Sequence, residues 1–313
     1  MLGGIVSAAV LSTPRRLTFN SNGTLNEPGN HLPVLLRGFT FDYTLRSDSQ
    51  TGVTDEDRQV NTLLPNANLA RLVMVHWHDE PTEHNGDCAS DDATRGFLTQ
   101  DCLDEFDSII LWAAKHMWLV ISARASLAAG DGGAGHTVWS NTTLHEQMVS
   151  MWSFLATRYA RHDNIAGFEV MSEPRVDNAS AIHAFHLSAC GAVWAADPAV
   201  GCFIGPGKFY DRMHMSSAYH LADPRVVYAA NMLDYVEGAN SSEVRAGLLR
   251  KLEMVSNFST TFSVPVWIDQ WGVLGSAPGG TAAQATYLRE ILEIFAETRF
   301  HWSCESVLRP TPL

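Results

Sequence analysis

Positive charge is scarce in this chain: 21 Lys and Arg stand against 34 Asp and Glu, a formal net charge of −13 over 313 residues. A surface of that sign repels phosphate backbones, so nucleic acid is excluded as the partner and a neutral or cationic ligand fits better. No apolar run approaches the roughly 20 residues of a membrane-spanning helix, so no membrane span is expected. The five cysteines at 88, 102, 190, 202 and 304 contain no Cys-x-x-Cys pair, which argues against a zinc cluster. The glycine-rich stretch from Gly130 to Gly135 lacks the Gly-Lys-Ser/Thr ending of a phosphate cradle, and no Gly-x-Gly-x-x-Gly follows the first strand. His76, His78 and His84 have no partnered carboxylate at ligand spacing, so no metal is expected. Nothing in the sequence asks for a cofactor.

What is present is a repeating alternation of β-type and helical segments. Thr143 to His162, Ser180 to Ala196, Ser242 to Thr261 and Thr281 to Thr298 read as helices, and Asp101 to His116 has apolar residues at helical spacing. Between them lie β-type runs such as Asn68 to Trp77, Trp118 to Ala123, Asn164 to Met171, Val226 to Asn231 and Val264 to Asp269. Asn22-Gly23 marks a short hairpin ahead of a first strand ending at Phe41. With 46% hydrophobic and 18% charged residues, the chain can bury one large core. The expectation is a single domain over residues 1–313, an α/β fold closed as a (β/α)8 TIM barrel with a short N-terminal β-hairpin. The chain ends ten residues after Ser303, so the last helix is expected to be missing or cut short. The polar stretch Asp79 to Thr99 is expected as a long loop at the barrel mouth. Spacing allows Cys88 with Cys102 and Cys190 with Cys202 to close short loops.

One stretch organises the rest. Asn164 to Arg175 is an apolar β-type run that ends in Glu173 and Pro174, a carboxylate followed by a residue with no backbone donor. A titratable group at the tip of a parallel barrel strand faces the active-site mouth, whereas an ordinary exposed glutamate is the plain alternative. Ser172-Glu173-Pro174 resembles the Asn-Glu-Pro that ends strand four in glycoside hydrolase family 5, the cellulase and mannanase family, with the Asn replaced. Val264 to Gly272, reading Val-Pro-Val-Trp-Ile-Asp-Gln-Trp-Gly, resembles that family's strand-seven ending, and Arg37-Gly38-Phe39 its first strand. The resemblance implies hydrolysis of a β-linked glucan, mannan or other β-glycoside, with Glu173 as acid/base and Gln270 at the nucleophile position. It implies substrate contacts at Arg71, Trp77, Trp139, Ser172, Asn231, Trp271 and Trp302, the last as a platform for a sugar face.

The departures lie at chemically decisive places. Retaining glycosidases need two carboxyls about 5 to 5.5 Å apart, and an amide at 270 has no anionic charge with which to attack an anomeric carbon. Ala123 or Arg124, and Asn231-Met232-Leu233, replace the family's helper residues. Three readings follow: an engineered block at Gln270, a divergent hydrolase in which Asp234 or Glu305 activates water, or a carbohydrate-binding protein without turnover. The sequons at Asn22, Asn141, Asn178, Asn240 and Asn257 exceed the roughly two expected by chance and point to a secreted protein, expected to be a monomer. Met1 to Leu11 is apolar through Val10 but lacks a basic start, so it reads equally as a weak leader or a trimmed chain end.

Overall fold

The computed structural model describes residues 14–27, 32–43, 66–76, 88, 90–125, 138–139, 141–174, 176, 178–233, 235–238, 240–272 and 280–305. Two short strands, β1 (Thr18–Phe19) and β2 (Leu25–Asn26), pair antiparallel around the Asn22-Gly23 turn. Eight strands follow: β3 (Arg37–Tyr43), β4 (Leu69–His76), β5 (Trp118–Ala125), β6 (Ile165–Ser172), β7 (Gly201–Ile204), β8 (Val226–Met232), β9 (Val266–Trp271) and β10 (His301–Glu305). They pair in parallel, each with its neighbour in sequence, and β10 pairs β3 to close the barrel. The connecting helices are α1 (Gln100–Ala113), α2 (Thr142–Tyr159), α3 (Ala179–Ala196), the single turn α4 (Gly207–Tyr210), α5 (Ser241–Phe262) and α6 (Gly280–Thr298).

This is the expected (β/α)8 barrel. Parallel strands need crossovers of a dozen or more residues, and the helices supply them while covering the outer face of the sheet. Helix α1 buries Cys102, Leu103, Phe106, Ile109, Ile110 and Ala113, the stripe that the sequence spacing predicts. Asp55 to Leu64, which the sequence suggests as a short helix, lies outside the described residues, as does the chain beyond 305.

Apolar burial divides into two bodies. One fills the space between sheet and helices. The other lines the barrel interior through Leu36, Leu69, Val120, Ala166, Phe203, Val227 and Trp267, and it includes Leu17 and Leu25 of the hairpin. The hairpin therefore plugs the end at which the strands begin, and Trp118 Nε1 ties it further by donating to Arg15 O at 2.8 Å. Gly38 lets β3 run against β4, because a Cβ there would sit 1.7 Å from Leu69 O.

Both disulfides that the spacing allows are formed. Cys88 bonds Cys102 across 14 residues, and Cys190 on α3 bonds Cys202 on β7.

Candidate active site

The site is built on a buried cation. Arg71, on β4, is fully enclosed and forks onto Glu169 of β6, Nε donating to Oε2 and Nη2 to Oε1, both at 2.8 Å. The same Nη2 donates to Ser172 Oγ at 2.7 Å and lies 3.1 Å from Asp269 Oδ2 of β9. The guanidinium carbon stands 5.3 Å from the centre of the Trp267 ring. Burial opposes the charge on Arg71, but Glu169 and then Asp269 more than offset it, so its pKa is held above the ordinary value. Tyr210, also enclosed, donates its hydroxyl to Met171 O. Burial first, then the nearby Glu169 and Asp269, push its pKa well above the ordinary tyrosine range, so the phenol keeps its proton.

Two irregularities in strand pairing set what the tips present. Ser122 of β5 pairs Glu169 and Arg124 pairs Ser172, so β6 carries one residue more than its neighbour over that stretch. Ala230 of β8 pairs Ile268 and Asn231 pairs Gln270, which makes Asp269 an extra residue in β9. An extra residue reverses the in-out alternation beyond it. Glu169 and Ser172 can thus both reach Arg71 although they are three positions apart. In β9, Trp267 and Asp269 face inward and Trp271 faces the helices, which leaves Gln270 on the barrel side.

Beyond these bulges lie the two tip residues. Glu173, half-buried, follows β6 directly with φ 49°, a left-handed backbone that a glutamate rarely adopts and that Pro174 does nothing to relieve. Strain of this kind clusters at functional sites. Gln270 is 1% exposed, and its Nε2 has no hydrogen-bond partner among the described residues. Glu173 and Gln270 each adjoin a residue held by the same nitrogen of Arg71, so β6 and β9 present them at the same end of the barrel. Asn231, the register partner of Gln270, is nearly buried and belongs to the same end.

Several expected contacts are placed differently. Arg71, which the resemblance places as a buried arginine near position 270 as well as among the substrate contacts, is indeed buried there: it meets carboxylates and Ser172 inside the barrel, has no exposed surface, and supports the tips. Ser172 is buried in that same support. Trp271 is 3% exposed and packs edge-on against Phe295 of α6 and Trp302, each at 5.3 Å between ring centres. Trp302, half-buried, pairs with Ile268 and Arg37 near the beginning of β10 and lies against Phe295, in the layer between sheet and helix. Trp139 is half-buried, edge-on to Phe185 of α3. The reason is common to all three: indoles beside amphipathic helices recover more by packing than by facing water. Trp77 and Asp234 lie outside the described residues, and of Glu305 only the backbone is described.

Glu169, Asp269 and Tyr210 were not anticipated as parts of the site. The signal for the two acids was available, since each interrupts an apolar strand that has no solvent face. A separate cavity of about 340 Å³ lies at the plugged end, between Asn22 and Thr24 of the hairpin turn and Ser259, Ser263 and Arg299. It is remote from Glu173 and Gln270.

No family model and no curated protein matches the chain. Solved structures do match. An endo-glycoceramidase II from Rhodococcus sp. superposes with TM-score 0.71 at 15% identity over 95% of this chain and 76% of its own. The clostridial cellulose synthase subunit Z from Clostridioides difficile gives 0.68 at 16% identity, covering 88% and 92%. The catalytic domain of a Thermobifida fusca endoglucanase, solved with cellotetraose, gives 0.63 at 17% identity, covering 92% and 84%. At such identities the likeness establishes the fold: this chain has the (β/α)8 barrel that these carbohydrate-related proteins share.

Proposed function

We propose that the chain is a cellulase-like glycoside hydrolase of the family 5 type, acting on a β-linked glucan, mannan or other β-glycoside at the barrel mouth. The observation that carries this reading is the pairing of tips: Glu173 and Gln270 each stand one residue beyond a side chain bound to the same Arg71 nitrogen. Glu173 protonates the glycosidic oxygen as the bond to the leaving group breaks. Gln270 cannot form a glycosyl-enzyme bond, so a water molecule attacks the anomeric carbon and gives up its proton to a second carboxylate, the role assigned to Asp234 or Glu305, in the inverting geometry for which carboxyls stand about 6.5 to 9.5 Å apart. Gln270 instead binds. A buried amide donor without a partner costs about 1–3 kcal/mol, and a sugar hydroxyl that accepts from Nε2 recovers much of it.

The same amide favours a second reading, a carbohydrate-binding protein without turnover. A screen of β-glucan, β-mannan and aryl β-glycosides, run on the unmodified chain, Glu173→Gln and Gln270→Glu, separates them. The expected result is slow turnover with inversion by the unmodified chain, abolished in Glu173→Gln. Saccharide binding with no turnover in any of the three would assign the binder. Turnover confined to Gln270→Glu, with an intermediate trapped by a 2-fluoro glycoside, would make Gln270 a lesion in a retaining site.

A further inference from the structure

Three of the five sequon asparagines begin helices. Asn141 accepts from the backbone N–H of Thr143 and Leu144 at the start of α2, Asn178 from Ala181 at the start of α3, and Asn240 from Glu243 at the start of α5. Each cap uses the side-chain carbonyl Oδ1. Attachment of an N-linked sugar uses the other half of the amide, Nδ2. The two roles are compatible in one side chain because they use different atoms, Oδ1 for the cap and Nδ2 for the sugar. Asn178 and Asn240 are exposed, as are Ser180 and Ser242, which complete their sequons, whereas Asn141 is half-buried.

A second observation points the same way. Cys190–Cys202 joins α3 to β7 with both cysteines fully buried, and Cys88–Cys102 closes the chain ahead of α1. Paired disulfides persist in the oxidising route through which secreted eukaryotic proteins also receive N-linked sugars.

We propose that Asn178 and Asn240 carry N-linked glycans, so that one amide both caps a helix and anchors a sugar. In the transfer, Nδ2 displaces pyrophosphate from the anomeric carbon of a lipid-pyrophosphate-linked oligosaccharide. The C1–O bond breaks, a C1–N bond forms, the amide loses one proton, and the lipid pyrophosphate leaves. Asn240 Nδ2 keeps one hydrogen, enough for its bond to Glu243 Oε1. Helices that follow barrel strands begin at the mouth, so both glycans stand on the face that holds Glu173 and Gln270. The inference is independent of any catalytic activity.

The test is expression of the full chain through a eukaryotic secretory host, release of N-glycans by an amidase in heavy-oxygen water, and peptide mass spectrometry. Isotope-labelled aspartate at 178 and 240 is the expected result. Ser180→Ala and Ser242→Ala should each remove one glycan while leaving the caps, and Asn178→Ala should melt at a lower temperature than Ser180→Ala because it loses both. A secreted, disulfide-bonded chain with both asparagines unmodified would overturn the proposal, as would retention with free thiols at Cys190 and Cys202. Equal melting of Asn178→Ala and Ser180→Ala would overturn the double role.

Discussion

Replacing Arg71 with methionine keeps an apolar stem of similar reach and removes the cation shared by Glu169 and Asp269. Both carboxylates have fully buried side chains, so water cannot take the place of the guanidinium. Breaking a buried ion pair from one side costs about 3–5 kcal/mol, a large share of the roughly 5–15 kcal/mol that holds a domain together. Contact geometry does not set that figure. Arg158 also forks onto a carboxylate, Asp107, at 3.0 and 2.5 Å, but their side chains are 32% and 39% exposed. A pair of that kind contributes no more than about 1 kcal/mol. Urea denaturation at pH 7, followed by tryptophan fluorescence, should therefore show Arg71→Met losing several times more than Arg158→Gln. Saccharide binding should weaken as well, although Arg71 touches no ligand, because Ser172 and Asp269 would no longer hold the two tips in place. If the two variants lost stability equally, the enclosed cluster would not align β6 with β9, and the case for a joint site at Glu173 and Gln270 would fall with it.

Glu173→Asn should abolish turnover yet leave the urea midpoint unchanged or raise stability by up to about 1 kcal/mol, since asparagine tolerates the left-handed backbone better; a clear loss of stability would show that the strain argument is wrong. Burial pushes the pKa of His186 down to about 3, and burial with Arg299 nearby pushes that of His301 down to about 4, against about 6.5 when unfolded. Both groups contribute stability above about pH 6.5 and lose it as pH falls toward the folded values, at up to about 1.4 kcal/mol per pH unit each. The urea midpoint should drop between pH 6.5 and 4, less steeply in His186→Phe, and a profile that is flat for both proteins would refute the buried neutral imidazoles. Removing the Cys190–Cys202 bond with Cys190→Ala and Cys202→Ala should cost about 3 kcal/mol for a loop of this length, read from the same denaturation curves.

Much of the barrel was legible because its signals are local. Helical stripes, apolar strands and the Asn-Gly turn depend on residues a few positions apart, and they reproduce β4 to β10 and helices α1, α2, α3, α5 and α6 to within a few residues, while the single turn α4 carries no such signal. Both disulfides were among the pairings that spacing allowed. The packing partners of the tryptophans were not legible, for a physical reason. A strand-end indole reads the same whether it faces the mouth or a helix, and the packing of Trp271 and Trp302 involves Phe295 of α6, 24 residues after Trp271 in the chain but 5.3 Å away between ring centres.

The sequence by itself determined the closed alternation of strands and helices and put Glu173 at a strand end, since periodicity and a carboxylate at a strand end are carried by neighbouring residues, whereas Gln270 was singled out by the resemblance of Val264 to Gly272 to a family's strand ending. Only the tertiary structure decided that Arg71, Glu169, Ser172 and Asp269 form one enclosed cluster, because they come from three strands and meet through two extra residues in β6 and β9. Strand alternation alone puts every second side chain inward and contains no mark of where it reverses; that depends on register against the neighbouring strand, which exists only once the barrel has closed.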